Sequence, residues 1–233
     1  MRSLKLCSLV LLLAASVSAQ RTVVGETYDI VLPASYDSTR TYPLLIILHG
    51  AFSGKESLQP YFVPDLFADH YIRLFPQSSE RSRDRYTWHR KLKESRKLIR
   101  SAYEEVRKTY PVDTARVIVC GFSMGGMMAI DVTLQQVIPL LGFIAVCPGM
   151  PPQFDTALVA GMVARGQRGV IIGGHFDYFR PYQLDMLNAF KVVGFEHRFL
   201  EFPNLGHELP PKLPQSLDAA LSFVDPVVGK SAK

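Results

Sequence analysis

Charge of either sign is thin and evenly spread in this sequence. Lys and Arg number 26 and Asp and Glu 21, a formal net charge of +5 over 233 residues. That balance is too mild to point to nucleic acid. The densest basic stretch, Arg81 to Lys97, also carries Asp84 and Glu94, and reads as a solvated loop or helix face. Cysteine is scarcer still: Cys7, Cys120 and Cys147. Neither Cys nor His has metal-ligand spacing, and no phosphate-binding loop is visible, so no metal and no other cofactor is expected. Cys120 and Cys147 each end an apolar run. They read as small buried side chains, or as partners in a bridge if an exported protein is oxidised. Long apolar runs are missing too. Leu9 to Ala15 falls short of the roughly 20 residues of a bilayer span. Arg2 and Lys5 precede it and Ser16-Val17-Ser18-Ala19 follows it, the layout of a secretory signal peptide cut after Ala19. The expectation is a leader at 1–19, a single domain at 20–233, no stable membrane insertion and a secreted or periplasmic location. Losing Arg2 and Lys5 lowers the net charge from +5 to +3.

What the sequence does have is alternation. Glu26 to Leu32, Tyr42 to Leu48, Tyr71 to Phe75, Val117 to Cys120, Gly142 to Val146, Val170 to Ile172 and His197 to Phe202 read as strands. Tyr42 to Leu48 is apolar throughout, as in a strand buried on both faces. Leu92, Ile99, Tyr103, Val106 and Tyr110 recur at helical spacing, which predicts an amphipathic helix over Arg90 to Tyr110. Further helices are expected near Met124 to Gln136, Tyr182 to Val193 and Gln215 to Val224. Alternating βα units imply an α/β fold with a mostly parallel central sheet and helices on both faces. Val227 to Lys233 reads as a loose tail. Asp131 and Asp185, inside predicted helices, read as solvated or capping residues.

One pentapeptide carries chemistry. Val117-Ile118-Val119-Cys120 runs into Gly121-Phe122-Ser123-Met124-Gly125, and an apolar helix follows. A serine between two glycines at a strand-to-helix corner is a nucleophile elbow. The corner lifts the hydroxyl clear of the sheet and frees the next amide. A serine also needs a base, and the base an orienting carboxylate. These belong in loops at the carboxyl ends of later strands, acid before base. Asp177 follows the strand ending at Gly173-Gly174, and His207 follows the strand ending at Phe202. Asp155, one strand earlier, is the rival acid.

Other stretches fall in a familiar order: Val31-Leu32-Pro33-Ala34-Ser35-Tyr36, then Tyr42-Pro43, Leu48-His49-Gly50, Tyr110 to Val117, the elbow, Gly174 to Asp177 and Gly206-His207-Glu208. The chain resembles the α/β-hydrolase superfamily over nearly its whole length after the leader. Within it, the resemblance is to small serine esterases of the phospholipase/carboxylesterase, dienelactone-hydrolase-like and feruloyl-esterase-like groups. It implies an α/β-hydrolase fold without a large lid. It also implies an oxyanion hole from the Ala51 and Met124 amides, with His49 bracing the loop. In feruloyl-esterase-like relatives a tryptophan placed like Trp88 lies near the cleft, so Trp88 is a candidate substrate contact as well as a candidate core residue. Phe52, Phe176, Tyr178 and His175, beside the expected catalytic positions, are candidate cleft residues. The implied activity is hydrolysis of a small or polysaccharide-linked carboxylic ester. A serine peptidase of the same fold and a non-catalytic binding protein on the same scaffold are the alternatives.

Overall fold

The computed structural model describes residues 20–231, so the leader reading lies outside the described residues. Ten strands appear there: β1 (Arg21–Val24), β2 (Tyr28–Leu32), β3 (Tyr42–Leu48), β4 (Ile72–Pro76), β5 (Glu80–Ser82), β6 (Arg85–Thr87), β7 (Val112–Phe122), β8 (Gly142–Val146), β9 (Arg168–Gly174) and β10 (His197–Phe202). The helices are α1 (Leu92–Thr109), α2 (Met124–Leu134), α3 (Thr156–Ala164), α4 (Arg180–Val193), α5 (Leu213–Val224) and α6 (Pro226–Ser231). Eight strands form one sheet in the order β1-β2-β4-β3-β7-β8-β9-β10. From β4 to β10 every neighbour is parallel, while β1 and β2 add an antiparallel edge. β5 and β6 pair as a separate hairpin.

Strand alternation divides the core in two. Leu44, Ile46 and Leu48 of β3 join Val117, Val119, Phe143, Ala145 and Ile171 in a cluster with buried residues of α1, α2, α3 and α4. Leu45 and Ile47 face the other way, with Ile118, Ile144, Val170 and Ile172, and are covered by α5 and by Val228 of α6. Helices thus cover both faces, as the alternating pattern implied.

Three readings need correction. The C-terminal stretch is helical in α6 rather than a loose tail, because Val228 buries itself in the α5 side of the core. α3 was not anticipated: Thr-Ala-Leu-Val-Ala-Gly-Met-Val-Ala carries almost no polar side chain and so lacks an amphipathic signature. Asp131 is neither solvated nor capping. It is fully buried in α2, and the Arg96 guanidinium of α1 clamps it with two hydrogen bonds of 2.7 Å. The basic side chains of Arg81 to Lys97 are mostly exposed, as a solvated face implies; Arg81 to Thr87 lies in the hairpin, and buried Glu80 beside it accepts the backbone N–H groups of Arg90 and Lys91. Cys120 and Cys147 are free, buried thiols. No helix among the described residues is long and apolar enough to cross a membrane.

Removing one member of a buried ion pair strands the other. Asp131→Ala is expected to cost about 3 kcal/mol, roughly 6–12 °C in Tm for a domain of this size. Thermal melts read by circular dichroism check it, and a shift within error of zero rejects the clamp.

Candidate active site

The elbow is a steric construction. Ser123 holds φ 56° and ψ −116°, a strained backbone for a residue with a side chain. A Cβ on Gly125 would stand 2.0 Å from the Leu48 carbonyl oxygen, and one on Gly121 would stand 2.5 Å from the Gly125 carbonyl carbon. Only glycine at both positions lets the β7–α2 turn lie against the end of β3. The Ser123 N–H donates to the Val146 carbonyl oxygen at 2.8 Å, tying the turn to β8.

Consecutive strand ends then deliver the partners. His207, in the loop after β10, places Nε2 2.8 Å from Ser123 Oγ. Its Nδ1 lies 3.0 Å from Oδ1 of Asp177, in the loop after β9. With Nδ1–H donating to the carboxylate, Nε2 is left to accept from the hydroxyl. Asp155, the rival acid, instead caps α3 by accepting from the Ala157 N–H at 2.7 Å.

The carboxylate is itself held. Asp177 Oδ1 accepts the Phe179 N–H at 2.9 Å, and Oδ2 accepts from Gln183 Nε2 at 2.9 Å. Gln183 lies on α4, fully buried, and also donates to the Pro148 carbonyl oxygen. It escaped the sequence reading. Its only trace there is Gly173, where a Cβ would stand 2.4 Å from Gln183 Oε1. Three rings surround the imidazole: Tyr178 with centroids 4.4 Å apart, Phe122 at 5.3 Å and Phe179 edge-on at 5.2 Å.

The loop after β3 is braced from behind. His49 is buried and packs on Trp88, ring centroids 4.8 Å apart. Its Nδ1–H donates to the Gly50 carbonyl oxygen at 2.8 Å, and its Nε2 accepts the Ser78 N–H at 3.3 Å. Burial pushes its pKa down to about 4. Trp88 Nε1–H donates to the His49 carbonyl oxygen at 2.9 Å, and Ser53 bridges to Tyr86 of the hairpin. Among the described residues neither the Ala51 nor the Met124 N–H donates a hydrogen bond, and both residues border the space beside Ser123.

Trp88 is therefore corrected: it has no exposed surface and does not line the cleft. Its indole supports the loop instead, the larger gain for an amphipathic ring with a backbone acceptor in reach. Phe52 and Tyr178 do line the cleft, both exposed. His175 and Phe176 do not. They pack edge to face on each other, and His175 Nδ1 lies 3.3 Å from Glu201 Oε1 at the surface.

Two hollows meet at Ser123. One of about 450 Å³ is bordered by Ser53, Ser57, Leu58, Leu209 and His207. The other, of about 220 Å³, is bordered by Met124, Met127, Gly149 and Phe179. Ala51, Phe52 and Tyr178 border both. The fold also gathers a donor set that sequence spacing hides: Cys147, Asp177 and His207 converge behind the serine. Burial, then the nearby Asp177 carboxylate, pushes the Cys147 thiol up to about 12.

A family model described as the alpha/beta hydrolase family matches residues 45–228. The chain belongs to that family. The hydrolase is similar to an uncharacterized protein from Bacillus cereus, with a TM-score of 0.73 and 24% identity. That match covers 82% of this chain but only 62% of the Bacillus protein. It is also similar to a ferulic acid esterase from Anaeromyces mucronatus solved with ferulic acid, at TM-score 0.66 and 14% identity, covering 90% of this chain and 91% of that one. A third likeness is to S-formylglutathione hydrolase from Staphylococcus aureus, at TM-score 0.64 and 15% identity, covering 88% and 96%. At such identities these are likenesses of fold. No curated protein matches the chain closely.

The buried His49 gives the hydrolase a pH-dependent brace. Its folded pKa of about 4 lies below the ordinary 6.5, so as pH falls the unfolded chain takes up the proton first. Stability from this group is therefore intact above pH 6.5 and is lost as pH falls from there to about 4, by about 3 kcal/mol. His49→Gln, which does not titrate, should be less stable at neutral pH but show a shallower fall of Tm across that window. Parallel slopes for the two proteins would rule the effect out.

Proposed function

We propose that this hydrolase cleaves carboxylic esters with Ser123 as nucleophile, His207 as general base and acid, and Asp177 as the orienting carboxylate. The observation that carries this is the continuous hydrogen-bonded chain Ser123–His207–Asp177, at 2.8 and 3.0 Å, on a strained elbow. His207 Nε2 takes the serine proton while Oγ bonds to the ester carbonyl carbon. Negative charge moves onto the carbonyl oxygen, which the Ala51 and Met124 amides receive; each such donor contributes roughly 3 kcal/mol in the transition state. Collapse breaks the bond to the alcohol oxygen, which collects the proton from Nε2. Water then repeats the sequence on the acyl-enzyme, releasing the acid and restoring Ser123. Asp177 keeps the imidazole in the required tautomer and stabilises its cationic form.

The same geometry sorts the substrate's two halves. The departing alcohol must meet His207 Nε2, so it occupies the larger hollow, with Ser53 and Ser57 on its wall. The acyl group takes the smaller, methionine-lined hollow, which suits a short or flat apolar acid. Breadth on the alcohol side accommodates a small alcohol or a polysaccharide-linked one. The similar ferulic acid esterase and S-formylglutathione hydrolase support this reading. The N-terminal leader pattern supports action outside the cytoplasm.

A fluorophosphonate probe should label Ser123, and Ser123→Ala should lower hydrolysis of p-nitrophenyl acetate by roughly 10⁴-fold or more. Faster cleavage of aminoacyl-p-nitroanilides than of p-nitrophenyl esters would point to a peptidase, and no labelling of folded protein to a silent scaffold. Gln183→Leu deprives the carboxylate of a buried charge-assisted hydrogen bond. Its kcat should fall roughly tenfold with little change in KM; an unchanged kcat would remove Gln183 from the machinery.

A further inference from the structure

Cys147 takes no part in the hydrolytic scheme, yet it lies against it. It follows β8 with φ 49°, a left-handed backbone that a residue with a side chain seldom adopts. It is fully buried, and its S–H donates to the Glu208 carbonyl oxygen at 3.4 Å. Its Sγ, a carboxylate oxygen of Asp177 and a ring nitrogen of His207 all lie within 4.8 Å of one another. The three come from the loops after β8, β9 and β10, neighbours in the sheet. Thiolate, imidazole and carboxylate together supply three donors of the kind a borderline-soft divalent cation takes.

We propose that Cys147, Asp177 and His207 form a site for a Zn²⁺-like ion, and that its occupation switches the hydrolase off. Around one such ion the donors stand roughly 3–4 Å apart, given bond lengths of about 2.0–2.3 Å. His207 Nδ1 and Asp177 Oδ1 already stand 3.0 Å apart, so it is Sγ that closes in, a side-chain movement on loops rather than a change of fold. The ion bonds to Sγ and releases the thiol proton to solvent. It also takes the Nδ1 lone pair, so the imidazole proton passes through solvent to Nε2. No electrons are transferred. Nε2–H now points at Ser123 Oγ and can no longer accept its proton. Metal-loaded and hydrolytic states of His207 are mutually exclusive, so removing the ion restores the base.

The inhibition arm rests on the proposed ester hydrolysis; the binding arm does not. Chelator-treated full-length protein is titrated with Co²⁺, a spectroscopic stand-in for Zn²⁺. A thiolate-to-cobalt charge-transfer band should grow in and saturate at a single equivalent. Hydrolysis of p-nitrophenyl acetate should fall in step by about 10²-fold or more, the worth of a general base, and EDTA should reverse both. Cys147→Ala should keep its hydrolysis, show no band and ignore Co²⁺; Cys147→Ser serves if the alanine variant fails to fold. No band, or a band that survives in Cys147→Ala, overturns the site. A band without loss of hydrolysis overturns the switch. If the protein hydrolyses no ester at all, the band and its dependence on Cys147 and His207 still decide the site.

Discussion

Everything at this site hangs on one close approach. The β7–α2 turn lies so near the end of β3 that a single methyl at Gly125 would overlap the Leu48 carbonyl oxygen. That contact forces the Ser123 backbone into its strained corner and turns the side chain out of the sheet. It also places the Met124 amide beside the loop that carries Ala51. The strain is held by surroundings already committed to the fold: the Val146 carbonyl on one side and the packed α2 on the other. A site built this way needs no mobile part to assemble it.

The remaining groups follow from sheet order. β7, β8, β9 and β10 are neighbours, and the segments after them present Ser123, Cys147, Asp177 and His207 in turn. In a parallel sheet the carboxyl ends all open on one side, so residues far apart in sequence share one rim. Two of these, and the loop of Ala51, are then held by side chains from elsewhere in the fold. Gln183 holds Asp177, three aromatic rings hold His207, and His49 with Trp88 holds the loop of Ala51.

This division explains what could be read from the sequence. The meeting of Ser123, Asp177 and His207 was legible because each lies just past a strand end, where glycine and polarity break an apolar run. The parallel sheet was legible because a run like Tyr42 to Leu48 has no polar face to expose. The supports were not. Gln183 is one polar residue on an ordinary amphipathic helix, and its partner lies across a tertiary contact. Asp131 looked like any helical carboxylate until Arg96 reached it from α1. Trp88 was ambiguous because an indole serves a pocket wall and a core equally well; the carbonyl of His49 decided between them. Cys147 read only as a small buried side chain or a bridge partner, since its approach to Asp177 and His207 joins three loops and has no sequence spacing.

Tyr178 ties two properties together that are usually separable. Its ring borders both hollows beside Ser123 and lies against the His207 imidazole. A guest pressing on that ring presses on the His207 imidazole as well. Reshaping the wall to admit a different guest therefore also alters how the imidazole is seated. At position 178, the shape of the cleft and the seating of the His207 imidazole are the same variable.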